Sequence, residues 1–146
     1  MSESYPYIIQ PEDIHTGITG IDQEHQILVN MLNIASEQLT DDCGRLSNEE
    51  IIRDLLSYAL YHFDNEEALM LEYQYPTAER EKHVREHRDF STSVAQLRLA
   101  ANKGKRVTRE ELLNFLKAWF VKHISGTDKQ LAIFLGKLDP SLSSKA

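Results

Sequence analysis

The chain has 146 residues, 41% of them hydrophobic and 27% charged, which suits one domain with a self-sufficient core. A formal charge of -7 argues against nucleic acid and anionic lipid as partners. No apolar run reaches the roughly 18 residues of a membrane span, and MSESYPYIIQPED lacks the basic start and apolar stretch of a signal peptide. With a single cysteine, Cys43, in a polar stretch, these features lead us to expect a cytoplasmic protein with that thiol in a surface loop.

Residues 1–20 read as an N-terminal arm, because Pro6, Pro11, Gly17 and Gly20 discourage helix, with isoleucines able to pin the arm to a core. A first helix is expected from about Asp22 to Leu39, followed by a loop from Thr40 to Ser47. Ser47 with Glu50 forms a capping-box pattern and predicts the start of a second helix, which Pro76 ends after about Tyr73. A third is expected to open at Thr77 and run to about Ala101, closed by Gly104. Thr108 and Glu111 form another capping box, opening a fourth helix that Gly126 interrupts after His123. LAIFLGKL predicts a short terminal helix, and residues 139–146 a frayed tail. Strand alternation is absent. Short links give an all-α, up-down-up-down four-helix bundle over residues 21–138.

Histidines and carboxylates interrupt the apolar stripes of these helices. Ile21, His25, Leu28 and Leu32 share one face, as do Leu55, Ala59, His62, Glu66 and Leu69. His83, His87, Phe90 and Val94 share another, and Leu112, Leu116, Trp119 and His123 a fourth. Alternating helix direction brings His25, His62 with Glu66, His83 with His87, and His123 to the same end of the bundle. Buried imidazole and carboxylate are costly unless paired or metal-bound, so five histidines and a glutamate at one level predict a metal site. Asp128 lies five residues after His123, and on a straight α-helix that spacing turns about 500° and points the two apart. A bulge or helix end within Ser125-Gly126-Thr127 would bring Asp128 in. Seven donors exceed one tetrahedral ion and fit two six-coordinate ions bridged by carboxylates. Iron matches nitrogen plus carboxylate in that geometry, and five histidines divided between two ions leave one ion with a vacancy. His15 lies off every stripe and reads as a surface residue; Glu67 and Glu72 read as solvent-facing, with support of a neighbouring ligand as their alternative role.

His25, then HFDNEE (His62 to Glu67), HVREH (His83 to His87) and HISGTD (His123 to Asp128) resemble the motifs of hemerythrins, bacteriohemerythrins in particular, over roughly residues 17–130. GITGIDQEH before the first helix and the methionine in EEALM resemble the same family; the arm lacks the tryptophan that members commonly carry. The resemblance implies a non-heme, oxygen-bridged di-iron centre that binds O2 reversibly. It implies His83, His87 and His123 on the filled iron, His25 and His62 on the open one, and Glu66 and Asp128 bridging. Trp119, with Ile124 nearby, is expected to line the O2 pocket, and Leu28, Phe63, Leu69 and Met70 join them as candidates. The chain is then a carrier, store or sensor and not an enzyme, with any signalling partner unknown. The competing expectations are a di-iron enzyme acting on peroxide, nitric oxide or ferrous iron, and a structural, zinc-loaded bundle. Ferritin-like enzymes use Glu-x-x-His pairs and more carboxylates, whereas this set is rich in imidazole.

Overall fold

The computed structural model of the protein describes residues 14–39, 46–104 and 107–143. Four long helices carry the fold: α1 (Thr19–Gln38), α2 (Leu46–Glu72), α3 (Thr77–Asn102) and α4 (Arg109–Lys122). A π-helical turn, His123–Asp128, leads directly into α5 (Lys129–Leu138), and Pro140–Leu142 add a 3₁₀ turn. No strand is present among the described residues, and α1 packs on α2, α2 on α3 and α4 back on α1. The chain is therefore the expected all-α four-helix bundle. No described helix is long and apolar enough to cross a membrane. Cys43 lies outside the described residues.

The helix ends show how local chemistry sets the boundaries. Thr108 and Glu111 make both hydrogen bonds of the capping box, the Glu111 amide donating to Thr108 Oγ1 (3.1 Å) and the Thr108 amide to Glu111 Oε1 (3.3 Å). Helix α2 begins at Leu46, within one residue of the start expected from Ser47, and the Ser47 side chain lies outside the described residues. Thr77 is the first residue of α3 and Pro76 occupies the cap position, its fixed φ suited to the approach. Helix α1 starts at Thr19, within the segment expected to be arm, and Asp22 in its first turn reaches back to the amides of Thr16 (2.7 Å) and Gly17 (3.1 Å). His15 is exposed and lies 3.2 Å from the same carboxylate. Residues 140–143, expected to fray, instead form the 3₁₀ turn and pair Ser143 with Ile18 in an isolated antiparallel bridge. Gly136 permits that close approach: a Cβ there would meet Ser143 Oγ at 3.2 Å.

Two apolar clusters fill the bundle. The larger holds Leu28, Phe63, Phe90, Leu116, Phe120 and Ile124; the smaller holds Ile21, Met70, Tyr75, Leu131 and Leu135. Each stretch of helix passes from one to the other. The donor residues lie between: His25 between Ile21 and Leu28, Glu66 between Phe63 and Met70, His87 before Phe90, Asp128 before Leu131. The polar layer is thus sealed by apolar packing at both levels.

The turn joining α2 to α3 ends in a Schellman motif that the sequence does not advertise. Gln74 has φ +55°, its amide donates to the Leu71 carbonyl (3.3 Å), and the Tyr75 amide donates to the Met70 carbonyl (2.9 Å). Tyr75 and Met70, which accompany those bonds, share the smaller cluster. A left-handed backbone costs a residue with a Cβ about 1 kcal/mol or more, so Gln74→Gly should stabilise the fold by about 1 kcal/mol in equilibrium denaturation. A loss of stability would show that the Gln74 side chain contributes more than its backbone costs.

Candidate metal centre

His25 comes from α1, His62 and Glu66 from α2, His83 and His87 from α3, and His123 and Asp128 from the π turn. All seven are between 0% and 3% exposed. The structure brings all seven together as two overlapping donor groups. One group is Glu66, His83, His87, His123 and Asp128; the other is His25, His62, Glu66 and Asp128. Within each, one donor atom per residue lies within 4.8 Å of the others.

The two carboxylates belong to both groups, and each divides its oxygens between them. Asp128 Oδ1 lies 2.9 Å from Nε2 of both His83 and His123, while Oδ2 lies 2.8 Å from His25 Nε2 and 3.8 Å from His62 Nε2. Glu66 Oε1 faces His87 (3.2 Å), His83 (3.4 Å) and His123 (3.9 Å), and Oε2 faces His62 (3.4 Å). Asp128 takes part because the helix widens. The i→i+5 bonding of the π turn brings residues five apart through about one turn, where an α-helix would splay His123 and Asp128 apart. Ser125, inside that turn, donates its hydroxyl to the Val121 carbonyl at 2.6 Å.

All five rings aim Nε2 inward, and four Nδ1 atoms have acceptors. His25 Nδ1 faces the Ile14 carbonyl (3.1 Å), His62 faces Glu24 Oε1 (2.7 Å), His87 faces Glu67 Oε2 (2.8 Å) and His123 faces Glu86 Oε1 (2.7 Å). Nδ1–H donation to these oxygens fixes the ring planes and leaves each Nε2 lone pair for a metal. The arrangement steps along the chain. The arm supports α1's histidine, α1 supports His62 of α2, α2 supports His87 of α3, and α3 supports His123. Glu67, for which support of a ligand was the alternative to facing solvent, is one of these supports; Glu24 and Glu86 are supports not singled out from the sequence. Each is next in sequence to an inward-facing donor on its own helix, and that adjacency was the available signal.

The donor set fits metal ions better than it fits itself. Nε2 of His62 and His83, Oε2 of Glu66 and Oδ1 of Asp128 are buried without a hydrogen-bond partner, although opposing atoms are close. His87 and His123 bring two Nε2 atoms to 3.1 Å. Atoms arranged in this way point at common centres and not at one another.

Two aromatic rings lie flat on the layer. Phe63 stacks on His87 with centroids 4.1 Å apart, and Trp119 stacks on His123 at 4.4 Å. Leu28 and Ile124 are buried in the same larger cluster. Four of the residues expected at the O2 pocket thus lie together, whereas Leu69 and Met70, expected beside them, pack in the smaller cluster.

Charge within the layer is balanced by mutual pairing. Burial opposes the charged form of His62, but the Glu66 charge and the proximity of Asp128 and Glu24 raise its pKa to about 10. Burial likewise opposes His83, yet Asp128 and Glu66 raise it to about 9. Burial would lift Asp128, and the His123 charge instead holds it well below the usual carboxylate range. Burial would also lift Glu86, which hydrogen bonds from His123 and Thr127 hold down to about 2.

Both folded histidine values lie above the ordinary 6.5, so their stabilisation of the metal-free fold is complete below pH 6.5 and is lost as pH rises through 9–10. Metal uptake has the opposite dependence, because ligation needs deprotonated Nε2 atoms. Affinity should rise by about one decade per pH unit for each proton released. Titration calorimetry in two buffers of different ionisation enthalpy counts those protons; zero release would contradict the pairing. Glu86→Gln should keep the fold and weaken metal binding about 10–100-fold, read by competition with a chelator.

Comparison with known proteins agrees with this geometry. Residues 16–134 match the family described as "Hemerythrin HHE cation binding domain". A bacteriohemerythrin of Stenotrophomonas maltophilia is 34% identical over 125 residues, covering 86% of this chain and 79% of that protein. One from Pseudomonas aeruginosa (PAO1) is 30% identical over 123 residues, covering 84% and 77%. A crystal structure of wild-type hemerythrin superposes with a TM-score of 0.71 at 21% identity, covering 86% of this chain and 94% of that one, a likeness of fold. A motif set legible in the sequence, a donor layer shared by two groups, and a family match across most of the chain agree, and the protein belongs to the hemerythrin family.

Proposed function

We propose that this chain holds two iron ions in its polar layer and binds O2 reversibly, as a carrier, store or sensor in a cytoplasmic setting and not as an enzyme. The observation that carries this reading is the divided carboxylates: Glu66 and Asp128 each direct one oxygen to a three-histidine group and the other to a two-histidine group. In this assignment His83, His87 and His123 hold one ion, His25 and His62 the other, and the carboxylates span both. Bound iron would supply the electrons for O2 and, on the two-histidine side, the free position where it binds.

The chain's own residues account for the rest. Imidazole nitrogen with carboxylate oxygen suits iron, and among the described residues the donor groups hold only histidine, glutamate and aspartate. The Nδ1 acceptors hold the rings, so the donors need little rearrangement between states. Phe63, Trp119, Leu28 and Ile124 form an apolar wall that keeps water from the centre and offers no acid to protonate bound oxygen. Reversibility depends on that exclusion.

Anaerobic reduction followed by O2 titration tests the proposal. The expected result is two irons per chain and a visible band that appears with O2 and disappears when O2 is removed. Irreversible oxidation, or steady turnover of peroxide well above that of free iron, would replace the reading with an enzyme. Trp119→Ser should leave the iron count unchanged and speed irreversible oxidation several-fold, followed as decay of the same band.

A further inference from the structure

The seven donors are sealed from solvent, yet a cation has to reach them. A cavity of about 300 Å³ lies between α1, α2 and the C-terminal segment, and Glu66 forms part of its wall. Glu66 is 1% exposed and its Oε2 has no hydrogen-bond partner. Around it the wall carries Ile21, Leu69 and Leu135, and at the polar side Glu24, Asn65 and Glu72. Glu24 links this cavity to the centre: Oε1 accepts from His62 Nδ1 at 2.7 Å and Oε2 accepts from Asn65 Nδ2 at 2.7 Å. Glu72 is exposed. Most of the wall comes from α1 and α2, the helices that carry His25 and His62, so the cavity meets the layer on the side of the two-histidine group.

The geometry points to this cavity as the portal through which divalent iron enters the centre, with Glu72 drawing the cation in and the Glu24–Asn65 pair guarding the inner end. This rests on the di-iron reading above. A cleft lined by carboxylates focuses negative potential and raises the local cation concentration. Its apolar sides leave a cation few other ligands on the way, and Glu66, which carries a buried unpartnered oxygen, is the member of the donor set in its wall. O2, uncharged, gains nothing from such a mouth.

The test follows loading of metal-free full-length chain with ferrous iron under anaerobic conditions, together with its removal by a bipyridine chelator. Ala68 is an exposed residue of the cavity wall, so Ala68→Trp narrows the portal without disturbing the core. Ala68→Trp should slow both uptake and removal by about tenfold or more, and Glu72→Gln should slow uptake several-fold and flatten its salt dependence. Final iron per chain and helicity should match the unaltered protein in both. Leu60→Trp, in a separate groove between α2 and α3, is the control and should load at the unaltered rate. Unchanged rates in Ala68→Trp, or equal slowing in Leu60→Trp, would overturn the portal while leaving the di-iron reading intact. An unaltered protein that takes up no iron would overturn both.

Discussion

The structure depends on two carboxylates buried at the centre of a helical bundle with their oxygens pulled in opposite directions. A buried carboxylate costs several kcal/mol unless it is compensated, and Glu66 and Asp128 are compensated by five imidazoles converging from all four sides. Neither acid faces a single partner. Each is shared, and sharing requires the four helices to keep one height and one rotation relative to one another. The apolar clusters on both sides of the layer supply that registration.

The supporting hydrogen bonds make the centre a cooperative unit. Glu24, Glu67 and Glu86 each stand on one helix and hold a histidine of the next. Loosening one helix therefore frees the donor of its successor as well as its own. The π turn adds a further constraint. It widens the last helix where Asp128 must enter, then returns the chain to α-helix so that Leu131 and Leu135 reach the smaller cluster. Such turns are uncommon and concentrate at functional sites.

Much of this was legible in the sequence. Stripes of period three to four placed all five histidines and Glu66 inward, because burial on one helical face follows directly from spacing. The awkward interval from His123 to Asp128 signalled a departure from α-geometry, and the π turn supplies it. The supporting acids were harder to see. They lie beside the stripes, and their function appears only when a neighbouring helix is set against them, which is information about packing. The turn at Gln74 was hidden for a different reason: its left-handed backbone carries no glycine to mark it.

The partner of His25 differs in kind from the others. It is the carbonyl of Ile14, a main-chain oxygen, reached from a segment that precedes the bundle. The Ile14 side chain does not enter that bond but anchors it, being 3% exposed and packed in the larger cluster, so the contour of the backbone and the burial of the side chain set the imidazole together. Between Ile14 and Thr19 the chain has Gly17 at φ +96° and the bonds of Thr16 and Gly17 to Asp22 to keep that contour fixed. Gaining or losing one residue in this short stretch would rotate the carbonyl away, so a change of length there should be felt at the imidazole far more than an exchange of the exposed His15.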